Sequence, residues 1–179
     1  MSSLFDSLNA WSYKVCRRMG MTIDEELFYA KMLNKIVKGK VKYSNALEIG
    51  CCNCLFSLNL GNTISIDLWD EIPLEEVKKY ASSQLVQNLF PLPFRDNTFD
   101  LIYSPIFFSN LKRDVRKELA KDVYRVIRKE NGILILIDLE IFRKIRKEFI
   151  EIGFEEKDYY TYQGVFFSIM QANRTRSIQ

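Results

Sequence analysis

The chain has 179 residues, 47% hydrophobic and 27% charged, with 7 Gly and 4 Pro. That length fits one domain around one sizeable core, and the composition excludes collagen-like, linker-rich and disordered classes. The 26 basic and 23 acidic side chains leave +3, too mild a balance to argue by itself for a surface that tracks nucleic-acid phosphates.

No histidine is present. Ser-His-Asp and Cys-His catalysis, histidine-based zinc sites and the usual general base near neutral pH are therefore excluded. The longest apolar runs, such as Ile133–Ile137, are far short of a bilayer span. Asp6 interrupts the apolar N-terminal region, which lacks the layout of a signal peptide. The expectation is a cytoplasmic protein without a membrane partner. Of the four cysteines, Cys51, Cys52 and Cys54 crowd into one turn and Cys16 stands apart, unlike a disulfide framework.

Leu4, Leu8, Trp11, Val15 and Met19 have helical spacing up to Gly20. Thr22 and Glu25 form a capping box that opens a second helix through Leu27, Leu33 and Ile36, ending near Gly39. Residues 1–40 thus read as an N-terminal helical arm. Ala46–Ile49 reads as a strand entering the Gly50–Cys54 turn, followed by a short helix through Leu55, Phe56 and Leu58. Thr63–Asp67 is a second strand, Pro73–Tyr80 a helix and Gln84–Gln87 a third strand. Phe99–Tyr103 is a fourth, stopped by Pro105. Asp114 is placed to cap a helix through Val115, Leu119, Val123 and Ile127. Ile133–Ile137 has the unbroken apolar character of a strand buried on both faces. A helix with Phe142, Ile145, Phe149 and Ile152 on one side follows. Phe154–Thr161 and Val165–Ala172 then form a hairpin about Gln163-Gly164. Such alternation predicts an α/β, doubly wound, mostly parallel sheet, which binds ligands outside the carboxyl ends of its strands where strand order reverses.

Leu47-Glu48-Ile49-Gly50-Cys51-Cys52-Asn53-Cys54 resembles the first motif of class I S-adenosylmethionine-dependent methyltransferases, with cysteines at the second and third glycine positions. Ser65-Ile66-Asp67-Leu68 resembles the end of that family's second strand. Leu85-Val86-Gln87-Asn88, then Leu92-Pro93-Phe94-Arg95-Asp96-Asn97-Thr98-Phe99-Asp100-Leu101-Ile102, resembles its third strand, loop and fourth strand. Tyr124-Arg125-Val126-Ile127 with Asn131-Gly132, and Gly153-Phe154 with the final hairpin, are similar to its later segments. The similarity spans residues 45–172 in order. It implies a Rossmann-like seven-stranded sheet with an antiparallel C-terminal hairpin strand, in a single domain over 1–179.

The resemblance implies S-adenosylmethionine as cofactor, with Glu48, Gly50, Cys51, Cys52, Asp67, Leu68, Asn88, Leu89 and Ser104 around it. Asp67 would take the ribose hydroxyls, Asn88 the adenine amino group, and Leu68 and Leu89 the ring faces. No catalytic base is assigned, because in-line placement of donor and acceptor supplies much of the rate of such a transfer. The acceptor stays open among small molecules, RNA and protein. A catalytically inactive interaction module is the alternative, since two glycines are replaced and Ser109-Asn110 stands where many relatives carry histidine. A thioredoxin-like Cys51-x-x-Cys54 redox pair is the second.

No metal is expected, because Cys-Cys-x-Cys lacks a second ligand pair at zinc spacing. All three clustered thiols are expected to be reduced, a Cys51–Cys54 disulfide being taken to pull the turn off the ligand's path. Ser104-Pro105-Ile106-Phe107 faintly resembles a base-gripping motif of amino-group methyltransferases, but a strand stopped by proline explains it as well. The basic runs Lys112-Arg113, Arg116-Lys117, Arg143-Lys144 and Arg146-Lys147 read first as solvated helix faces and second as nucleic-acid or acidic-partner contacts. Trp11 and Tyr13 read as core before substrate cage. Tyr159, Tyr160 and Tyr162 read as an exposed row, either a homodimer surface or edge-strand propensity.

Overall fold

A computed structural model describes residues 20–52, 54–67, 84–86 and 91–173, the strand 84–86 by its backbone alone. The expected first helix with Trp11 and Tyr13, and the helix Pro73–Tyr80, lie outside the described residues.

Helix α1 (Ile23–Lys40) starts at the predicted capping box, with the Glu25 amide donating to Thr22 Oγ1 at 3.2 Å and the Thr22 amide to Glu25 Oε2 at 2.7 Å. Asp24, Glu25 and Glu26 occupy its first turn and Lys38 and Lys40 its last, the distribution its dipole favours. The strands are β1 (Ala46–Ile49), β2 (Thr63–Ile66), β3 (Gln84–Val86), β4 (Leu101–Pro105), β5 (Ile133–Leu139), β6 (Phe154–Tyr162) and β7 (Val165–Ala172). They form one sheet in the order β3-β2-β1-β4-β5-β7-β6. The first five strands are parallel, and β7 runs antiparallel to both β5 and β6. Helix α2 (Arg113–Val126) precedes β5, and a 3-10 segment (Glu140–Ile145) leads into helix α3 (Arg146–Ile152).

Both sheet faces are covered, which is why the central strands lack polar alternation. Leu47, Ile49, Ile102, Leu134, Leu136, Phe166 and Met170 pack with Leu119 and Val123 of α2 and Phe149 of α3. Leu101, Tyr103, Ile135, Ile137, Phe167 and Ile169 pack with Tyr29, Ala30, Leu33 and Val37 of α1. Among the described residues, no helix is long and apolar enough to cross a membrane.

Four local expectations are corrected. Residues 55–59 form consecutive turns, not a helix, because the stretch between Cys54 and Gly61 is too short to offset the cost of helix nucleation. Asp114 lies inside the first turn of α2, whose N-cap is Lys112 without a side-chain cap bond. Strand β4 ends at Pro105 as expected, but it spans Leu101–Pro105 and not Phe99–Tyr103: Pro105 still pairs with Ile137, while Phe99 makes only an isolated bridge to Ile127. Tyr159 turns inward, stacking on Phe166 and under Arg146, whereas Tyr160 and Tyr162 face the α1 side and Tyr162 tilts against Phe28. The hairpin turn is as predicted, with Gln163 (φ 45°) and Gly164 (φ 81°) both left-handed, as a two-residue I′ turn requires.

Candidate functional site

After β3 at one edge, the chain returns to place β4 on the other side of β1. The carboxyl ends of β1 and β4 therefore flank the reversal of strand order, where sheets of this topology carry their ligand crevice. Ser104 Oγ donates to the Ile49 carbonyl at 2.9 Å, stitching these two ends together. Beyond Pro105, the Ile106 amide bonds to the Ile137 carbonyl at 2.8 Å while Ile106 adopts φ 49°. For a β-branched residue that is a strained conformation. The next residue, Phe107, lays its ring against Gly50: a Cβ added there would sit 2.2 Å from the ring, and Gly50 has φ 77°. Only glycine fits this contact with this backbone.

The loop after β1 keeps a glycine-like course without its glycines. Cys52 has φ 52° and Cys54 φ 58°, each at a cost of about 1–3 kcal/mol for a residue with a side chain. Several bonds hold the course. The Gly50 amide donates to the Ile66 carbonyl at 2.8 Å, the Cys52 amide to Asp67 Oδ2 at 2.7 Å, and the Cys54 amide to the Cys51 carbonyl at 2.7 Å.

Beneath the loop lies a buried group of ionisable side chains. Glu48 is fully buried and its Oε2 accepts from Ser65 Oγ at 2.8 Å. Cys51 and Cys54 are thiols, both buried, with Sγ atoms 2.7 Å apart. Burial, and then the hydrogen bond with Cys54, push the Cys51 thiol well above its usual range. Tyr103 is also raised well above the usual tyrosine range, first by burial and then by the Glu48 charge. Its hydroxyl makes no well-formed hydrogen bond, although the Thr63 hydroxyl, which donates to the Leu60 carbonyl at 3.2 Å, lies beside it. Cys52 is disulfide-bonded, which corrects the expectation of three reduced thiols, while Cys51 and Cys54 are free. That expectation treated the cluster by its spacing alone and gave Cys52 no partner elsewhere in the chain.

Glu48, Cys51 and Cys54 bring three donor atoms within 4.8 Å of one another. Two thiolates on one tetrahedral ion with bonds of about 2.3 Å would stand about 3.8 Å apart, so the 2.7 Å spacing is too tight for shared ligands. At the end of β5, buried Asp138 accepts from the Ser109 amide at 3.1 Å and the Leu139 amide at 2.8 Å, tying the segment after β4 to β5.

Glu48, Gly50, Cys51, Cys52, Asp67 and Ser104 thus converge on one end of the sheet, while Leu68, Asn88 and Leu89 lie outside the described residues. Phe107 and Tyr103 are the additions. The aromatic two residues after Pro105 was visible in the sequence, but not that its ring would reach Gly50. A separate groove of about 550 Å³, lined by Phe28, Met32, Ile36, Lys40, Tyr160 and Tyr162 among others, lies between α1 and edge strand β6, away from the crevice.

Residues 47–136 match the family described as Methyltransferase domain. The chain belongs to this family of class I S-adenosylmethionine-dependent methyltransferases. The methyltransferase domain matches no curated protein by sequence. Its fold is similar to that of the PH0226 protein from Pyrococcus horikoshii OT3, at TM-score 0.73 and 11% identity over 85% of this chain and 92% of that one. It is also similar to the N-methyltransferase NodS from Bradyrhizobium japonicum WM9 in complex with S-adenosyl-L-homocysteine, at TM-score 0.72 and 14% identity over 94% and 99% of the two chains. The ribosomal protein L11 methylase from Lactobacillus delbrueckii subsp. bulgaricus is more distant, at TM-score 0.62 and 16% identity over 83% and 79%. At these identities the likeness is one of fold: α/β, Rossmann-like, mostly parallel, with the antiparallel C-terminal strands.

Proposed function

We propose that the protein binds S-adenosylmethionine at the carboxyl ends of β1 and β2 and transfers its methyl group to an acceptor. The observation that carries this reading is the left-handed backbone at Cys52 and Cys54. A loop released from ligand binding would relax to ordinary dihedrals, whereas this one retains the course for which the family uses glycine. Asp67 stands beside that course to take the ribose hydroxyls. Leu68, Asn88 and Leu89 would hold the adenine, and Glu48, Gly50, Cys51, Cys52 and Ser104 would shape the methionine end.

The cofactor supplies an activated methyl group bound to sulfonium sulfur. The chain's part is to align the acceptor and exclude water, which a histidine-free site can do. The crevice lined by Ser104, Phe107 and the segment held by Asp138 is where an acceptor would approach. Small molecules, RNA and proteins all remain compatible with it. Residues 1–40 are read as the arm beside this opening and 45–172 as the cofactor core, in a cytoplasmic protein.

The Gly50–Phe107 contact favours a second reading, a silent interaction module, because the ring fills the crevice at the first glycine. Calorimetric titration of the purified protein with S-adenosylmethionine and S-adenosyl-L-homocysteine separates the two. The first reading expects saturable heat with both compounds. No heat and no thermal shift at millimolar cofactor would leave only the second.

A further inference from the structure

We propose that Cys51 and Cys54 form a reversible dithiol–disulfide pair built into the loop after β1, and that closing the disulfide tightens the cofactor site. The pair stands on its own geometry; its effect on the cofactor rests on the function proposed above.

The two thiols lie 2.7 Å apart beneath the loop. A disulfide of about 2.05 Å needs roughly 0.7 Å of further approach, while a shared metal ion needs roughly 1 Å of separation. The smaller movement favours the covalent bond. The Cys54 amide on the Cys51 carbonyl, at 2.7 Å, closes the turn that puts both side chains on its inner side. Closure then needs little movement of the sulfurs from the present left-handed course of the backbone, in contrast to the expectation that a disulfide pulls the turn off the ligand's path. A cross-link here removes alternative loop conformations that cofactor binding must otherwise order.

Hydrogen peroxide is the oxidant. The Cys54 thiolate attacks one peroxide oxygen, the O–O bond breaks, and sulfenic acid and one water form. Cys51 then attacks the Cys54 sulfur, the S–S bond forms, the S–O bond breaks, and hydroxide leaves as the second water with the remaining proton. Two thiols lose two electrons and two protons, and the peroxide becomes two waters. An external dithiol reverses the change by exchange. Burial of both sulfurs and the raised Cys51 thiol make the reaction slow while the loop is closed, so bound cofactor should protect the pair.

The test uses the full chain with Cys16→Ser and Cys52→Ser, which leaves Cys51 and Cys54 as its only thiols. After hydrogen peroxide treatment we expect a deficit of about 2 Da, loss of both thiols to alkylation, and recovery with dithiothreitol. The Kd for S-adenosyl-L-homocysteine should fall on the order of fivefold in the oxidised form. Peptide mapping of the oxidised wild-type chain gives the same readout should the double variant not fold. Independent alkylation of the two thiols after peroxide, or oxygen added to one cysteine without the deficit, overturns the pair. So does stoichiometric zinc that masks both thiols in the purified protein. A disulfide that forms while affinity stays unchanged overturns the link to the cofactor. If neither form binds cofactor, the proposed function and that link fail together, and the pair stands.

Discussion

The backbone amide of Cys52 donates to Oδ2 of Asp67 at 2.7 Å, so the residue that follows β2 also holds the loop that follows β1. Substitutions at Asp67 should separate these two duties. Asp67→Ala removes the acceptor and should lower stability by about 1–2 kcal/mol and weaken cofactor binding on the order of tenfold or more. Asp67→Asn keeps a carbonyl acceptor for the amide and should stay within about 0.5 kcal/mol of wild type while still weakening binding. Urea unfolding and calorimetry on the same samples read both effects.

Gly50→Ala should destabilise the protein by about 2–4 kcal/mol, because the new Cβ combines positive φ with a collision against a packed ring. Removing the obstacle should recover part of this. Gly50→Ala with Phe107→Ala should therefore lose less than the sum of the two single variants in a double-mutant cycle read by urea melts.

Restoring the glycines should change little. Cys52 and Cys54 already hold the backbone course that glycine would supply, so Cys52→Gly with Cys54→Gly should leave the Kd for S-adenosylmethionine within about threefold, under 1 kcal/mol. A gain of a hundredfold would instead favour the silent-module reading. Isothermal titration of the reduced proteins decides it.

Arg125 clamps the loop before β4 onto α2. Its guanidinium bonds to Asp122, to Asp96 at 2.9 Å, and to the carbonyls of Leu92 and Phe94 at 3.0 and 2.7 Å. Arg125→Ala should cost about 1–3 kcal/mol through the stranded carbonyls and Asp122. Arg125→Lys should recover little, since one ammonium cannot reproduce the planar fork. Thermal melts rank the three proteins.

Acid should weaken the fold partly through Asp100. Burial alone would raise its carboxyl, but the Ser44 and Asn45 amides and the Arg128 guanidinium hold it below the usual range. A depressed folded pKa stabilises above the unfolded value, about 3.9, and that stability is lost as pH falls through the folded value. Asp100→Asn should thus be less stable than wild type at pH 7, and the gap should close below about pH 4. Urea midpoints measured across that range test the sign.

The sequence by itself determined the sheet and the family. The unbroken apolar run at Ile133, the capping box at Thr22 and the left-handed turn at Gln163-Gly164 act through local periodicity and backbone chemistry, which neighbouring residues carry. The same holds for Glu48, Gly50 and Asp67, whose order and spacing place them at strand ends. Local signals failed where packing or competing termini decide. Asp114 resembles a cap, yet α2 already includes Arg113, and the stretch through Leu55 and Phe56 has helical spacing but no room for a helix. Tertiary structure alone decided that Phe107 rests on Gly50, that Cys52 and Cys54 accept positive φ, and that the Cys51 and Cys54 sulfurs meet. Each depends on atoms that β1 and β4 bring together only when the sheet closes, or on a turn held by Asp67 from the neighbouring strand. No pattern along the chain encodes those distances.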